Sequence, residues 1–132
     1  MNIRLKTNID IETTLSQLQN FLQVSSKAAV MRICIAYSLM EEGDPREQDG
    51  EIRHYDITKQ NGADYNRYTI YGPDEYLYKM MMEEALGRYL TDQEFFPEMT
   101  NAHLERGIIQ LSGDIRLSKI KDRFLKEKMK VR

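Results

Sequence analysis

The sequence predicts a mainly α-helical protein, a compact helical domain that opens with a ribbon-helix-helix-like unit and contains one short central strand. Apolar residues recur with helical spacing in several segments, whereas two short segments carry strand patterns. The chain has 132 residues, the usual size of one domain. We therefore interpret 1–132 as a single domain, divided into the unit at 1–43, an acidic loop at 44–64, a helical body at 65–115 and a basic C-terminal tail at 116–132.

The first strand is predicted at residues 2–6, where polar and apolar side chains alternate with a period of two. Ile3 and Leu5 would share the inner face of this strand. The outer face would carry Asn2, Arg4 and Lys6.

Two helices are predicted after this strand. Asp10 is the expected N-cap of the first helix, and Ser25 or Ser26 that of the second. Gly43 suits the left-handed residue that often follows a helix. The first helix is expected to bury one face, made of Ile11, Leu15, Leu18 and Leu22. The second is expected to bury a stripe made of Ala29, Ile33, Tyr37 and Met40.

The middle of the chain changes in composition. Residues 44–64 are polar, acidic and rich in turn formers, so we expect a long exposed loop. Some order is expected in it around Ile52, Tyr55 and Ile57. Residues 65–71 are dense in tyrosine, threonine and isoleucine and end at a Gly-Pro turn, which predicts the central strand.

Further helices are predicted in the C-terminal half. One runs from Asp74 to about Tyr89, and its methionine run is interpreted mainly as core packing. Its predicted apolar face consists of Leu77, Met81 and Ala85, widened by Met80, Leu86 and Tyr89. A break is expected near Pro97. The next helix carries Leu104, Ile108, Leu111 and Ile115, and a final segment after Gly113 carries Leu117, Ile120 and Phe124.

The sequence contains few residues suited to catalysis or metal binding. His54 and His103 form no H-x-x-x-H pair, so each is interpreted as structural. Cys34 lies among apolar residues of a predicted helix, which favours packing over nucleophilic chemistry. We therefore expect a protein that is not an enzyme and uses no cofactor or metal. A single cysteine and the lack of a run of 18 apolar residues are typical of a cytoplasmic protein without membrane attachment.

The N-terminal unit has the layout of ribbon-helix-helix proteins, in which strands of two chains pair into a ribbon that enters the major groove of DNA. In that arrangement the candidate DNA contacts of the strand are Asn2, Arg4 and Lys6. The N-terminus of the second helix could bind a phosphate through free N–H groups and the helix dipole. Its candidate residues are Ser25, Ser26 and Lys27. The alternative is that the strand merely presents a solvated edge.

Charge is distributed unevenly along the chain, although the net charge is only −2. Residues 116–132 contain eight basic and two acidic residues, whereas residues 1–115 carry a net −8. One end of the chain is thus suited to a polyanion, or else it is a solvated basic helix end without a partner. The candidate DNA contacts in this tail are Lys119, Lys121 and Arg123.

Three blocks resemble the DndE family of DNA sulfur-modification proteins. Residues 66–72, NRYTIYG, are similar to the family's N-R-Y-T-[LI]-x-G stretch, and residues 103–111, HLERGIIQL, to its H-x-x-R-G-hydrophobic segment. Residues 31–43 resemble its C-R-I-[AG]-x-x-x-S-L-E-E-G helix end, although here the cysteine follows the arginine and Met40 is an additional residue. The blocks occur in the family's order at compatible spacing.

The resemblance implies a role in phosphorothioation, in which sulfur replaces a non-bridging phosphate oxygen of DNA. It implies a small, non-catalytic accessory subunit, forming a dimer or tetramer, that binds duplex or nicked DNA. The implied partners are a cysteine desulfurase, an iron–sulfur protein and an ATPase-like protein, the latter two of the DndC and DndD type. The family's first helix is often rich in lysine, whereas residues 10–22 here contain no basic residue.

Within the matching blocks we expect structural roles, with Arg67 and Arg106 forming a buried ion pair or capping backbone carbonyls. The residues of this structural motif are Asn66, Arg67, Tyr68, Thr69, Arg106 and Gly107. Two other functions are compatible with the sequence. One is a ribbon-helix-helix repressor or antitoxin that reads an operator, and the other is a protein-interaction adaptor without DNA contact, which the acidic residues 1–115 favour.

Overall fold

The computed structural model describes the backbone of residues 3–130 and the side chains of residues 3–118. Helical residues predominate, which confirms the prediction of a mainly α protein. None of the helices in these residues is both long and apolar enough to cross a membrane. The elements are β1 (Arg4–Lys6), α1 (Ile9–Leu22), α2 (Lys27–Leu39), β2 (Glu47–Gln48), β3 (Glu51–Ile52), β4 (Asp64–Asn66), α3 (Arg67–Tyr71), α4 (Glu75–Leu86) and α5 (Thr100–Lys130), with short 3-10 turns at Ile57–Lys59 and Gly72–Asp74 and a kinked segment at Glu94–Met99.

The first two helices begin at side chains that satisfy free backbone N–H groups. The Asn8 Oδ1 accepts a hydrogen bond of 2.8 Å from the Ile11 N–H, so Asn8 is the N-cap of α1 and the prediction of Asp10 was wrong. Asp10 lies instead in the first turn, where the helix dipole favours a negative charge. The Ser26 Oγ caps α2 by accepting a hydrogen bond of 3.1 Å from the Ala29 N–H, as predicted. Each such cap contributes about 1 kcal/mol.

The core is built around α2, which contacts α1, α3, α4 and α5. α1 buries the predicted face, with Ile11, Leu15 and Leu18 buried and Leu22 packed against them. The predicted stripe of α2 was wrong, because Met40 is exposed and the other three predicted residues are only half-buried. The residues that α2 buries are Val30, Met31, Cys34, Ile35 and Ser38. A helix surrounded by four neighbours buries several faces, which removes the one-sided pattern that a surface helix shows.

The strand β1 pairs antiparallel with β4, in the register Leu5 opposite Tyr65. Leu5 is fully buried, as the alternation predicts. The predicted ribbon would pair this strand with a second chain, but here one of its edges is taken by β4 of the same chain. The backbone before β4 approaches the end of β1 closely, since the Gly62 N–H donates a hydrogen bond of 2.6 Å to the Thr7 carbonyl. A Cβ at Gly62 would lie 2.7 Å from that oxygen, which is too close for any residue but glycine.

The predicted central strand over 65–71 was largely wrong, since β4 ends at Asn66 and residues 67–71 form α3. The reason is local: the Asn66 Oδ1 accepts a hydrogen bond of 2.7 Å from the Thr69 N–H and starts a helix. The turn of α3 buries Ile70 and Tyr71. Capping and burial thus override the strand propensity of the tyrosine and threonine residues.

The acidic loop contains more structure than expected. β2 and β3 form a hairpin whose turn residues, Asp49 and Gly50, both have positive φ. Arg46 is buried and pairs with Asp44 at 2.7 Å and with Glu98 at 2.8 Å. Ile52 and Ile57 are exposed, while Tyr55 is half-buried. The loop is therefore held by an ion-pair network rather than by apolar packing.

The helix α4 exposes most of the face that the sequence predicted to be buried. Only Met82 of this helix is fully buried, whereas Leu77, Met80 and Met81 are exposed, as is Tyr89 beyond its end. The helix lies on the outside of the bundle, so one narrow stripe is enough to attach it. The predicted face of α5 was correct, because Leu104, Ile108 and Leu111 are buried and Ile115 packs against them, but the predicted end near Gly113 was wrong. α5 continues through Gly113 rather than ending there.

Candidate nucleic-acid interface

The outward face of β1 presents the two cations expected from the sequence. Arg4 is exposed and Lys6 is half-buried, while Leu5 between them points into the core. Asn2, the third predicted contact, lies outside the described residues. β4 places Asp64 opposite Lys6, so an acidic residue reduces the positive potential at that end of the strand.

Tyr55 attaches the loop to β1. Its hydroxyl donates a hydrogen bond of 3.0 Å to the Lys6 carbonyl and accepts one of 2.7 Å from the Lys6 N–H. Burial raises the pKa of Tyr55, which keeps the hydroxyl protonated and able to donate. Tyr55 therefore occupies the backbone groups of Lys6, which a strand of a second chain would need for pairing in a ribbon.

Two further cations flank Tyr55 in the loop and were missed by the sequence reasoning. Arg53 and Lys59 are exposed on a segment that is anchored to β1. A shallow depression of about 620 Å³ between this segment and β1 is lined by Arg4, Lys6 and Tyr55 together with apolar residues and Asp64. The proximity of Arg53 and Lys59 to β1 could not be predicted from the sequence, because it depends on the contact between Tyr55 and Lys6.

The N-terminus of α2 is a weaker anion site than the sequence suggested. Ser25 is exposed, but the Ser26 Oγ is already used as the helix cap. The Lys27 Nζ lies 3.0 Å from the Glu12 Oε1. Burial would raise the pKa of Glu12, but hydrogen bonds from Thr7, Lys27 and Tyr65 together lower it. Glu12 therefore stays ionised and neutralises Lys27.

Arg106 and Gly107 hold α5 against the C-terminal end of α2. The Arg106 guanidinium donates hydrogen bonds to the carbonyls of Ser38, Gly43 and Glu41 at 2.9, 3.0 and 3.2 Å. These are carbonyls at and just after a helix end, which lack helical partners. At Gly107 an added Cβ would lie 1.8 Å from the Cys34 carbonyl oxygen, so only glycine allows this helix crossing.

Arg67 joins three segments of the C-terminal half. It forms a two-pronged pair with Asp92, at 2.9 and 2.7 Å, and a further ion pair with Glu75. Its guanidinium also lies over the rings of Phe95 and Phe96, 5.8 and 5.4 Å from their centroids. The hydrogen bonds to Asp92 and Glu75 raise the pKa of Arg67 further above its ordinary value. Tyr68, in contrast, is exposed, and Thr69 lies in the turn capped by Asn66.

Comparison with known proteins identifies the family. Residues 4–119 match the family described as DNA sulphur modification protein DndE. This chain belongs to the DndE family. The match includes all three blocks singled out in the sequence and confirms the resemblance drawn from them. It ends at the first residue of the candidate tail contacts, so most of the basic tail lies beyond it.

Solved structures of DndE proteins share the fold. The chain is similar to DndE from Escherichia coli B7A, described as involved in DNA phosphorothioation modification, with a TM-score of 0.55 and 16% identity over 84% of this chain and 96% of that one. It is also similar to a DndE variant with two glycine-to-lysine substitutions, described as involved in DNA phosphorothioation, with a TM-score of 0.55 and 17% identity over 86% of this chain and 99% of that one. No curated protein matches.

The tail candidates are placed by the backbone alone. The backbone of residues 119–130 continues α5, so Lys119, Lys121 and Arg123 all lie on this helix. Their side chains lie outside the described residues.

Two of the residues considered for catalysis, Cys34 and His103, are used in packing. Cys34 is buried, and this burial raises the pKa of its thiol to about 12. His103 is buried 2.9 Å from the Ser38 Oγ, and its pKa is lowered to about 3 by burial and by the charge of Arg106. His54 is mostly exposed and contacts Glu98. Within residues 3–118 no three His, Cys, Asp or Glu side chains are grouped so as to hold a metal ion.

Proposed function

We propose that this chain is a non-catalytic, DNA-binding accessory subunit of a DNA phosphorothioation system. The observation that carries the proposal is the family match over residues 4–119. Structures of the same fold are described as DndE proteins involved in DNA phosphorothioation. The ligand we assign is duplex DNA, including nicked duplex, bound through its phosphates.

The DNA-binding surface we favour combines β1 with the loop that Tyr55 attaches to it. Arg4, Arg53 and Lys59 are exposed there, and Lys6 is half-buried. The basic tail, with Lys119, Lys121 and Arg123, is the second surface. We rank Ser25, Ser26 and Lys27 below both, because Ser26 is a cap and Lys27 is neutralised by Glu12. The remaining acidic surface would repel DNA and restrict contact to these regions.

The sulfur chemistry is assigned to partners, an iron–sulfur protein and an ATPase-like protein of the DndC and DndD type. Neutral His103 and the protonated thiol of Cys34 support a non-catalytic role, since neither is poised for proton transfer or nucleophilic attack at neutral pH. We further propose a cytoplasmic homo-oligomer, a dimer or tetramer.

The proposal is tested by fluorescence anisotropy with intact, nicked and single-stranded DNA over a salt series. Binding should weaken with salt, and each lost phosphate contact should flatten the log–log slope by about 0.9 units. Arg4→Gln and Lys6→Gln probe the strand, and Lys119→Gln, Lys121→Gln and Arg123→Gln together probe the tail. Arg88→Gln is the matched control, because Arg88 is an exposed cation already paired with Glu94.

A wild-type protein that leaves all three DNAs unbound at low salt would remove the DNA-binding proposal. Unchanged slopes in the strand variants, with a flatter slope in the tail variant, would remove Arg4 and Lys6 from the site and assign phosphate contacts to the tail. Native mass spectrometry of the same samples measures the oligomer, and a mass of one chain at all concentrations contradicts the homo-oligomer.

One observation favours the adaptor as a second candidate function. The outer face of α4 exposes Tyr76, Leu77 and Met80 to 76%, 55% and 64%. Large apolar side chains grouped on one helix face are typical of protein-interaction surfaces. The repressor or antitoxin is disfavoured, because one edge of β1 is occupied by β4 within the chain.

A further inference from the structure

A groove runs between α1 and α5, and it is lined by none of the residues assigned to the DNA surfaces above. Two adjoining depressions of about 450 and 240 Å³ form its two halves and share Thr14, Ile108 and Ile109. The most buried of its lining residues are Ile11, Leu18 and Ile108, so its floor is apolar. We call this space the α1–α5 groove.

The α5 side of the groove is one stripe of this helix. The residues that line it follow the spacing i, i+3, i+4, i+7 and i+11, which places them on one helix face. They are Glu105, Ile108, Ile109, Ser112 and Arg116. The stripe is about 16.5 Å long, at about 1.5 Å per residue. Near its middle the large side chain of Ile109 is 71% exposed, whereas the small Ser112 is half-buried.

The two ends of the groove carry opposite charges. Asp10 and Glu105 line one end, and Arg116, which is exposed, lines the other. None of these three residues forms an ion pair within the part of the chain whose side chains are described. Burial raises the pKa of Glu105, and a hydrogen bond with Asn101 only partly offsets this. A cation at this end would therefore stabilise the ionised carboxylate.

This charge pattern is complementary to itself when two copies of the stripe run antiparallel. If Glu105 faces Arg116 of a second copy, the two-fold axis lies midway between them, between residues 110 and 111. The same rotation then brings the exposed Ile109 opposite the small Ser112 of the second copy. A two-fold interface makes each of these contacts twice, so both charged ends and both isoleucines find a partner.

We propose that the α1–α5 groove is the face at which two copies of this chain associate. The two α5 helices lie antiparallel in it, and Arg116 of each copy lies at the Asp10 and Glu105 end of the other. This inference rests on the homo-oligomer proposed above and adds the surface and the contacts that form it. Because β1 and its loop lie outside the groove, the dimer leaves the strand surfaces of both copies accessible to DNA.

The test is sedimentation velocity of the full chain without DNA over a concentration series, with native mass spectrometry to identify the chains in each complex. Ile109→Glu should weaken self-association at least tenfold, because it places a charge at the centre of the apolar contact. Ile52→Glu is the matched control, since Ile52 is also an exposed isoleucine but lies outside the groove, and it should associate like the parent.

Charge reversal at the two ends tests the antiparallel arrangement. Arg116→Glu alone should weaken self-association at least tenfold, because it brings carboxylates together at both ends of the dimer. A chain carrying Asp10→Lys and Glu105→Gln should be weakened similarly, because its new lysine meets Arg116. An equimolar mixture of the two variants should form a mixed dimer at least tenfold tighter than either variant alone, since Glu at 116 then meets Lys at 10. A folding defect would not be repaired by mixing.

The proposal is overturned if Ile109→Glu, folded by circular dichroism, associates as tightly as the parent, or if mixing the charge variants produces no mixed dimer. An oligomer that persists unchanged in every variant would overturn this interface while leaving the homo-oligomer itself standing. A parent chain that stays monomeric at all concentrations would overturn both and leave the groove to a helix of another protein. DNA binding is measured separately by anisotropy, so its failure is distinguishable from each of these results.

Discussion

Replacing Gly107 by alanine should strongly destabilise the protein, although alanine is the better helix former. The added Cβ would lie 1.8 Å from the Cys34 carbonyl oxygen of α2. An ordinary C···O contact is about 3.3 Å, so α2 and α5 would have to separate by about 1.5 Å. These two helices share the largest contact between elements in the core.

The magnitude follows from two opposing effects. A Gly→Ala change inside a helix stabilises by about 1 kcal/mol through backbone propensity. Forcing extra volume into a packed core costs typically 1–3 kcal/mol and more when, as here, the clash is with backbone that cannot rotate away. Separation would also loosen Val30 and Met31 on α2 and Leu104 on α5, all fully buried. We expect a net loss of about 2 kcal/mol or more.

The assay is urea unfolding followed by circular dichroism, with Gly113→Ala as the matched control on the same helix. A Cβ at Gly113 meets no atom within 4 Å, so this variant has only the propensity gain and should be more stable by up to about 1 kcal/mol. Equal stability changes in the two variants would refute the argument that close approach, rather than helix propensity, decides the residue at position 107.

Three other predictions follow from single side chains. Asn8→Ala should cost about 1 kcal/mol of unfolding free energy in urea melts because it removes the N-cap of α1, whereas Asp10→Asn should change stability by only a few tenths. The pKa of His103 is about 6.5 in the unfolded chain and about 3 in the folded protein, so the unfolded chain binds the proton more tightly. As the pH falls below about 6.5, His103 should therefore lower the free energy of unfolding by up to about 1.4 kcal/mol per pH unit. His103→Gln should flatten this dependence in melts at pH 7 and pH 5, and an unchanged slope would contradict the assignment. Cys34 should react with a thiol reagent in urea but not in buffer, since it is fully buried and its thiol pKa is about 12; rapid labelling of the folded chain would show that the site opens.

Local patterns were sufficient where one face of an element meets the core. The faces of α1 and α5, the inward position of Leu5 and the cap at Ser26 all follow from periodicity or from capping chemistry between neighbouring residues. The family was likewise recognisable from short blocks, and the family match over residues 4–119 includes residues 66–72 and 103–111.

Other expectations failed where the outcome depends on distant residues. The stripe of α2 could not be read from the sequence because neighbours on several sides bury Val30 and Cys34 as well. The face of α4 was misassigned because a helix at the periphery needs only Met82 to attach it. The candidate DNA surface has the same origin, since Arg53 lies near β1 through the hydrogen bonds between Tyr55 and Lys6, two residues 49 positions apart in sequence.

The alternating residues 2–6 illustrate the division. By itself the sequence determined that Arg4 and Lys6 face away from the core, because side chains in a strand alternate with a period of two. Which strand pairs with them was decided by the tertiary structure, in which β4 closes one edge through backbone hydrogen bonds. Backbone groups are the same in every residue, so strand pairing carries little sequence signal and depends on the packing that brings the two strands together.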